Sequence, residues 1–102
     1  MQVIFFNPKI EKFLNSLELP ASSKSAKYIK LLETHGNNIG MPYSKQLSNN
    51  LYELRVRGRQ EIRIFYCFHR NQAVILHAFI KKSQKTPRQE TETALNRISF
   101  LT

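Results

Sequence analysis

Between Leu51 and Ile80 the chain passes through three apolar, β-rich segments separated each time by only three residues, and this spacing limits its folding more than any other feature. The segments fall at about Tyr52–Arg57, Glu61–His69 and Ala73–Ile80, joined by Gly58-Arg59-Gln60 and by Arg70-Asn71-Gln72. Connections this short permit antiparallel neighbours alone, because a parallel return needs a dozen residues or more. An antiparallel meander is therefore expected.

Residue alternation then assigns faces. In the first strand Tyr52, Leu54 and Val56 point one way and Glu53, Arg55 and Arg57 the other, so only the former face can sit on helices. In the second, Ile62, Ile64, Tyr66 and Phe68 alternate with Arg63, Phe65 and Cys67. Arg63 thus shares a face with apolar neighbours and needs an anionic partner or solvent. The expected result is a cationic pocket in an otherwise apolar wall.

The flanking segments supply the helices. Val3 to Phe6 suits a short strand joining one edge of the meander, and Asn7 can cap a helix with Pro8 at its first position. Ile10, Phe13, Leu14 and Leu17 give that helix one apolar face, and Leu19-Pro20 stops it. Ser22 or Ser23 can cap a second helix running to about His35 and ending at Gly36, with Ala26, Ile29 and Leu32 inward and Lys24, Lys27 and Lys30 on a solvated side. Asn37 to Asn50 reads as a loop anchored by Leu47. Thr86-Pro87-Arg88-Gln89 reads as a capping box opening a last helix that carries Ala94, Leu95 and Ile98. The fold class expected is α+β in the order β-α-α-β-β-β-α: an antiparallel sheet of about four strands, a two-helix hairpin on one face and a C-terminal helix. At 102 residues it is expected to be one domain, residues 1–102.

Charge narrows the partners. The formal net charge is +9, and nine of the 16 Lys and Arg lie between Leu51 and Arg88, opposed there only by Glu53 and Glu61. A field of that strength suits nucleic acid, an anionic membrane surface or an acidic protein. Cys67 is the single cysteine, which excludes an internal disulfide and a cysteine-based zinc site within one chain. In its apolar run it is expected to be a buried, inert thiol. His35, His69 and His77 lack metal-type spacing, so neither metal nor other cofactor is expected. The apolar run in the opening MQVIFFNPK is too short for a signal peptide or a membrane span, and a cytoplasmic protein without membrane contact is expected.

The ordered set LYELRVR, EIRIFY and HAFIKKSQKTP resembles the RelE/HigB toxin superfamily, its phage-derived HigB-like branch above all, and the likeness extends over nearly the whole chain. The resemblance implies a RelE-like fold and the toxin of a type II toxin–antitoxin pair, which enters the ribosomal A site and cuts mRNA there without metal. The ribose 2′-OH would attack the adjacent phosphate and leave a 2′,3′-cyclic phosphate. It also implies a cognate antitoxin, a helix-turn-helix protein of the HigA-like kind, through which alone operator DNA would be bound. Matching the family's functional cations are Arg55 on the first central strand, with Arg57 close by, Arg63 on the second, and Lys81 or Lys82 after the third. Where many relatives carry Gly-Tyr before the second-strand arginine, this chain has Glu61-Ile62, and it has no tyrosine between Lys82 and Thr102.

Such cleavage needs a base for the hydroxyl proton, positive charge for the phosphorane and a proton for the leaving 5′-oxygen. Arginine does not deprotonate, so Arg55, Arg57 and Arg63 are expected to clamp phosphate. A lysine crowded by other cations gives up its proton more readily, and Lys81, Lys82 and Lys85 lie near three arginines. Arg59 and Lys85 join the expected phosphate-binding set. Glu53 is expected to orient Arg55 or Arg63, or else to serve as base; His77 is expected to be a satisfied core histidine, or else an acid or base. The rival readings are a module that binds RNA or DNA without cutting it, for which Phe65 is the one clear stacking aromatic on the open face, and an inactive regulatory member of the same fold.

Overall fold

In the computed structural model, which describes residues 1–101, the elements are β1 (Gln2–Phe5), α1 (Pro8–Ser16), α2 (Ala21–His35), a 3-10 turn (Gly36–Asn38), β2 (Ser44–Ser48), β3 (Leu51–Val56), β4 (Ile62–His69), β5 (Gln72–Ile80) and α3 (Arg88–Ile98). The strands form one sheet in the order β1-β5-β4-β3-β2. β3, β4 and β5 are the antiparallel meander that the short connections demand. β1 closes one edge parallel to β5, a pairing that α1 and α2 make possible by carrying the chain away from the sheet before it returns. The architecture is α+β with a mostly antiparallel open sheet, compatible with a RelE-like fold.

The fifth strand corrects the expectation of a loop up to Asn50. β2 pairs antiparallel with β3, Lys45 opposite Glu53 and Gln46 opposite Tyr52. Its sequence, SKQLS, carries a single apolar residue, and an edge strand needs only backbone partners on one side. Leu47 falls at the register shift between Gln46 and Ser48 and is 38% exposed, so it is no core anchor. Ser44 fills that role: it is buried and hydrogen-bonded to the Tyr66 hydroxyl.

Helix boundaries follow local chemistry, with two corrections. As expected, Asn7 caps α1, its Oδ1 accepting from the Ile10 N–H at 3.2 Å. α2, however, begins at Ala21 behind Pro20, and the Ser23 hydroxyl donates to the Pro20 carbonyl instead of capping. Its inward positions are Ala21, Ser25 and Leu32, while Ala26 is exposed. α3 starts at Arg88 with Pro87 at the cap position and no side-chain cap, so the expected Thr86 box does not form. Gly36 ends α2 at φ +55°, a left-handed backbone that glycine adopts at little cost.

Apolar residues pack on both sides of the sheet. Leu54, Val56, Ile62, Ile64, Tyr66 and Ile75 meet Ile10, Leu14 and Leu32 of the helical hairpin. On the other side Phe65, Cys67, Val74, Leu76 and Phe79 meet Ala94 of α3. Phe65 is fully buried there, which removes the one expected stacking aromatic. Leu101 also packs on this second core, whereas Phe100 stays exposed. Among the described residues, no helix is long and apolar enough to cross a membrane.

One irregularity decides which β5 side chains reach that second face. Phe65 opposes His77 but Tyr66 opposes Ile75, so Leu76 is an extra residue in β5. Beyond this bulge the alternation inverts, and His77 and Phe79 come to lie beside Phe65 and Arg63.

Burial raises the Cys67 thiol to about 11. Little thiolate exists at pH 8, and reagent cannot reach it. A thiol-disulfide dye should therefore leave the native protein unlabelled and titrate one thiol per chain after denaturation; rapid native labelling would contradict this packing.

Candidate functional site

At the end of the sheet where β3 stops, β4 starts and β5 stops, a shallow open cleft of about 460 Å³ is lined by Arg55, Arg57, Glu61, Arg63, Lys81, Lys82, Ser83 and Gln84. It forms there because Arg55 and Arg63 are direct cross-strand partners, and because the Lys81 N–H donates to the Glu61 carbonyl at 2.7 Å, holding the start of the post-β5 segment against β4.

Two like charges placed opposite each other repel, and the sequence compensates from the same strands. Glu53, two residues before Arg55 and therefore on its face, is buried with its carboxylate 3.3 Å from Arg55 Nε and 3.7 Å from Arg63 Nε. Glu61, two residues before Arg63, lies 3.1 Å from Arg63 Nη2 and 3.6 Å from Arg57 Nη1. The five side chains make an alternating row, Arg55, Glu53, Arg63, Glu61, Arg57. Glu53 meets its arginines through charge alone, since neither Nε donates a directional hydrogen bond to it.

Exposure separates the cations. The Arg63 side chain is 3% exposed, with Nη1 donating to the Ile62 carbonyl and Nη2 to Glu61, so it is the floor of the cleft. Arg55 is 20% and Arg57 59% exposed, and these present their charge to solvent. Lys81 donates from Nζ to the Gln84 carbonyl at 2.8 Å, which folds the post-β5 segment into a turn, and Lys82 is exposed beside it.

Three of the expected site residues lie elsewhere. Arg59 lines a different pocket beyond the β3–β4 turn. Lys85 is exposed and does not line the cleft. His77 sits under α3, 2.8 Å from Glu90 and stacked on Phe79, as a satisfied histidine that ties the first turn of α3 to β5. Glu61, by contrast, was expected only as an opposing charge. Its i, i+2 spacing to Arg63 is the sequence signal for its place in the row.

Partial burial alone would raise Glu61, but the Gly58 N–H, the hydrogen bond from Arg63 and the charges of Arg63 and Arg57 outweigh it and hold its carboxyl below the ordinary value of 4.5. The folded state thus binds fewer protons at this group than the unfolded state. Its contribution to stability is complete above 4.5 and is lost as pH falls through the lower, folded value. In urea unfolding the difference between wild type and Glu61→Gln should be constant near neutrality and shrink as pH falls below 4.5; a difference that grew with acidity would reverse the sign.

Among the described residues no group of three or more His, Cys, Asp or Glu gathers as a metal site. The cleft is lined by five cations and one carboxylate, with Glu53 buried behind them, and has an open mouth and an arginine fixed at its floor. Such an arrangement can bind a phosphodiester and stabilise added negative charge on it. A family model described as "Phage derived protein Gp49-like (DUF891)" matches residues 12–99, a span that contains every residue of the cleft. None of the curated proteins compared with the chain matches it.

Proposed function

Because the chain belongs to the Gp49-like family of phage-derived proteins, and because its cleft gathers five cations, we propose that it is the toxin of a type II toxin–antitoxin pair, a cytoplasmic endoribonuclease that cuts mRNA on the ribosome and is restrained by a helix-turn-helix antitoxin. The observation that carries this reading is the convergence of cations from β3, from β4 and from the segment after β5 on one open cleft. The likeness of LYELRVR, EIRIFY and HAFIKKSQKTP to RelE/HigB toxins supplies the reaction.

In that reaction the 2′-oxygen bonds to phosphorus, the bond from phosphorus to the 5′-oxygen breaks, and the products are a 2′,3′-cyclic phosphate and a 5′-hydroxyl. One proton leaves the 2′-OH and one reaches the departing 5′-oxygen. Arg57, exposed at the mouth, and Arg55, partly buried behind it, hold the phosphate oxygens, and Lys82 stabilises the phosphorane or transfers a proton. Arg63, enclosed by Glu53, Glu61 and the Ile62 carbonyl, is a positioning residue that sets the field at the floor. Glu53, buried between the Arg55 and Arg63 guanidiniums, orients them.

A cleft of cations without a strong base is slow by itself. A ribosome holding the 2′-OH in line with phosphorus would supply several kcal/mol through orientation. The expected result is efficient cleavage of a translated message and little of the same message free in solution, read by mapping RNA ends. Equal rates on the two would remove the ribosome from the mechanism, and no cleavage of either would remove the nuclease.

A further inference from the structure

The pocket that holds Arg59 shares Arg57 with the cleft and lies just across the β3–β4 turn. Its volume is about 250 Å³, below the roughly 300–1,000 Å³ of drug-sized ligand sites, which suits one nucleotide unit and little more. Its lining divides by chemistry. Leu19, Pro20 and Val56 form an apolar side, and Lys24, Arg57 and Arg59 a cationic one. Gln60 adds an amide with both donors and acceptors.

Local contacts keep this pocket in shape. The Lys24 ammonium donates to the Arg57 carbonyl, fastening α2 to the end of β3. The Gly58 N–H donates to Glu61 Oε2 at 3.1 Å, which couples the turn to the row of charges in the cleft. Leu19 is 77% exposed, an apolar surface left open beside cations.

We propose that this pocket is a second nucleotide subsite: the RNA strand whose scissile phosphate lies in the cleft continues over Arg57, its next phosphate facing Arg59 and its base lying against Leu19 and Pro20. The assignment rests on the proposed function above and deepens it, making the β3–β4 turn a reader of the first nucleotide beyond the two that flank the cut. Continuity through Arg57 favours the same strand over an unrelated small anion, because one guanidinium serves both compartments. The apolar side favours a nucleotide over bare phosphate, since a base has a face to lay on it.

The test uses the intact chain and 2′-O-methylated oligonucleotides, which cannot be cut, a dinucleotide and a hexanucleotide, with binding read by fluorescence anisotropy. Arg59→Ala and Leu19→Asp alter exposed side chains, and circular dichroism checks that each variant is folded. The hexanucleotide should bind wild type more tightly than the dinucleotide, and each substitution should remove about tenfold of that advantage while leaving the dinucleotide unchanged. Arg59→Ala should also reduce the slope of log affinity against log salt by about 0.7 for the hexanucleotide. Survival of the length advantage in both variants overturns the subsite, as does an equal loss for both oligonucleotides. The cleft is judged separately by Lys82→Ala: if that change leaves dinucleotide binding untouched, the phosphate-binding reading of the cleft fails, whatever Arg59 does.

Discussion

Arg63→Ala is expected to lower the free energy of unfolding by about 3–5 kcal/mol, the usual penalty for breaking a buried ion pair from one side. The side chain is 3% exposed and is held by the Ile62 carbonyl, Glu61 and Glu53. Removing it leaves the Glu53 carboxylate, itself 5% exposed, with Arg55 as its remaining cation, and opens a void below. Urea unfolding reads the loss directly, and for a chain of this length the melting temperature should fall by roughly 10–30 °C. Combining Arg63→Ala with Glu53→Ala should recover part of the loss, because the stranded carboxylate goes with its partner. A loss below about 1 kcal/mol for the single variant would mean that water satisfies Glu53 as well as arginine does. Abolished growth arrest in Arg63→Ala would therefore report on folding as much as on chemistry.

Lys82→Ala separates the two. Lys82 is exposed on the rim, so stability should change by less than about 0.5 kcal/mol. Cleavage of ribosome-bound message should nevertheless fall by about 10²–10³-fold, the effect of removing one group that stabilises charge in the transition state. Arginine at this position should restore part of the rate if the role is purely electrostatic, and none if a proton must be transferred, because arginine does not give one up. Wild-type cleavage by Lys82→Ala would place the chemistry elsewhere in the cleft.

The sequence carried the central part of this arrangement because short connections leave few options. Three residues between apolar runs force antiparallel pairing, and alternation then places Glu53 and Arg55 away from the helical hairpin. The likeness to a known family pointed to Arg55, Arg63 and Lys81 or Lys82, and these do converge. What could not be read depended on partners distant in the chain. β2 has no periodic apolar pattern because as an edge strand it gains its order from β3. The side of His77 depended on the bulge at Leu76, which no local propensity marks and which a strict alternation from Ala73 would get wrong. That Arg63 finds its counter-charges inside the protein, and so becomes floor instead of mouth, follows from two glutamates on different segments meeting only once β3 and β4 are in register.

The parallel seam between β1 and β5 has a temporal meaning. Residues Gln2–Phe5 pair with Gln72 to Ile75, so closing that edge spans about seventy residues and meets a large loop-closure cost. During refolding the Phe6 amide, which donates to the Ile75 carbonyl, should gain protection from hydrogen exchange after the amides of the β3–β4 hairpin do. During synthesis β1 must wait, without its neighbour, until about seventy further residues have left the ribosome.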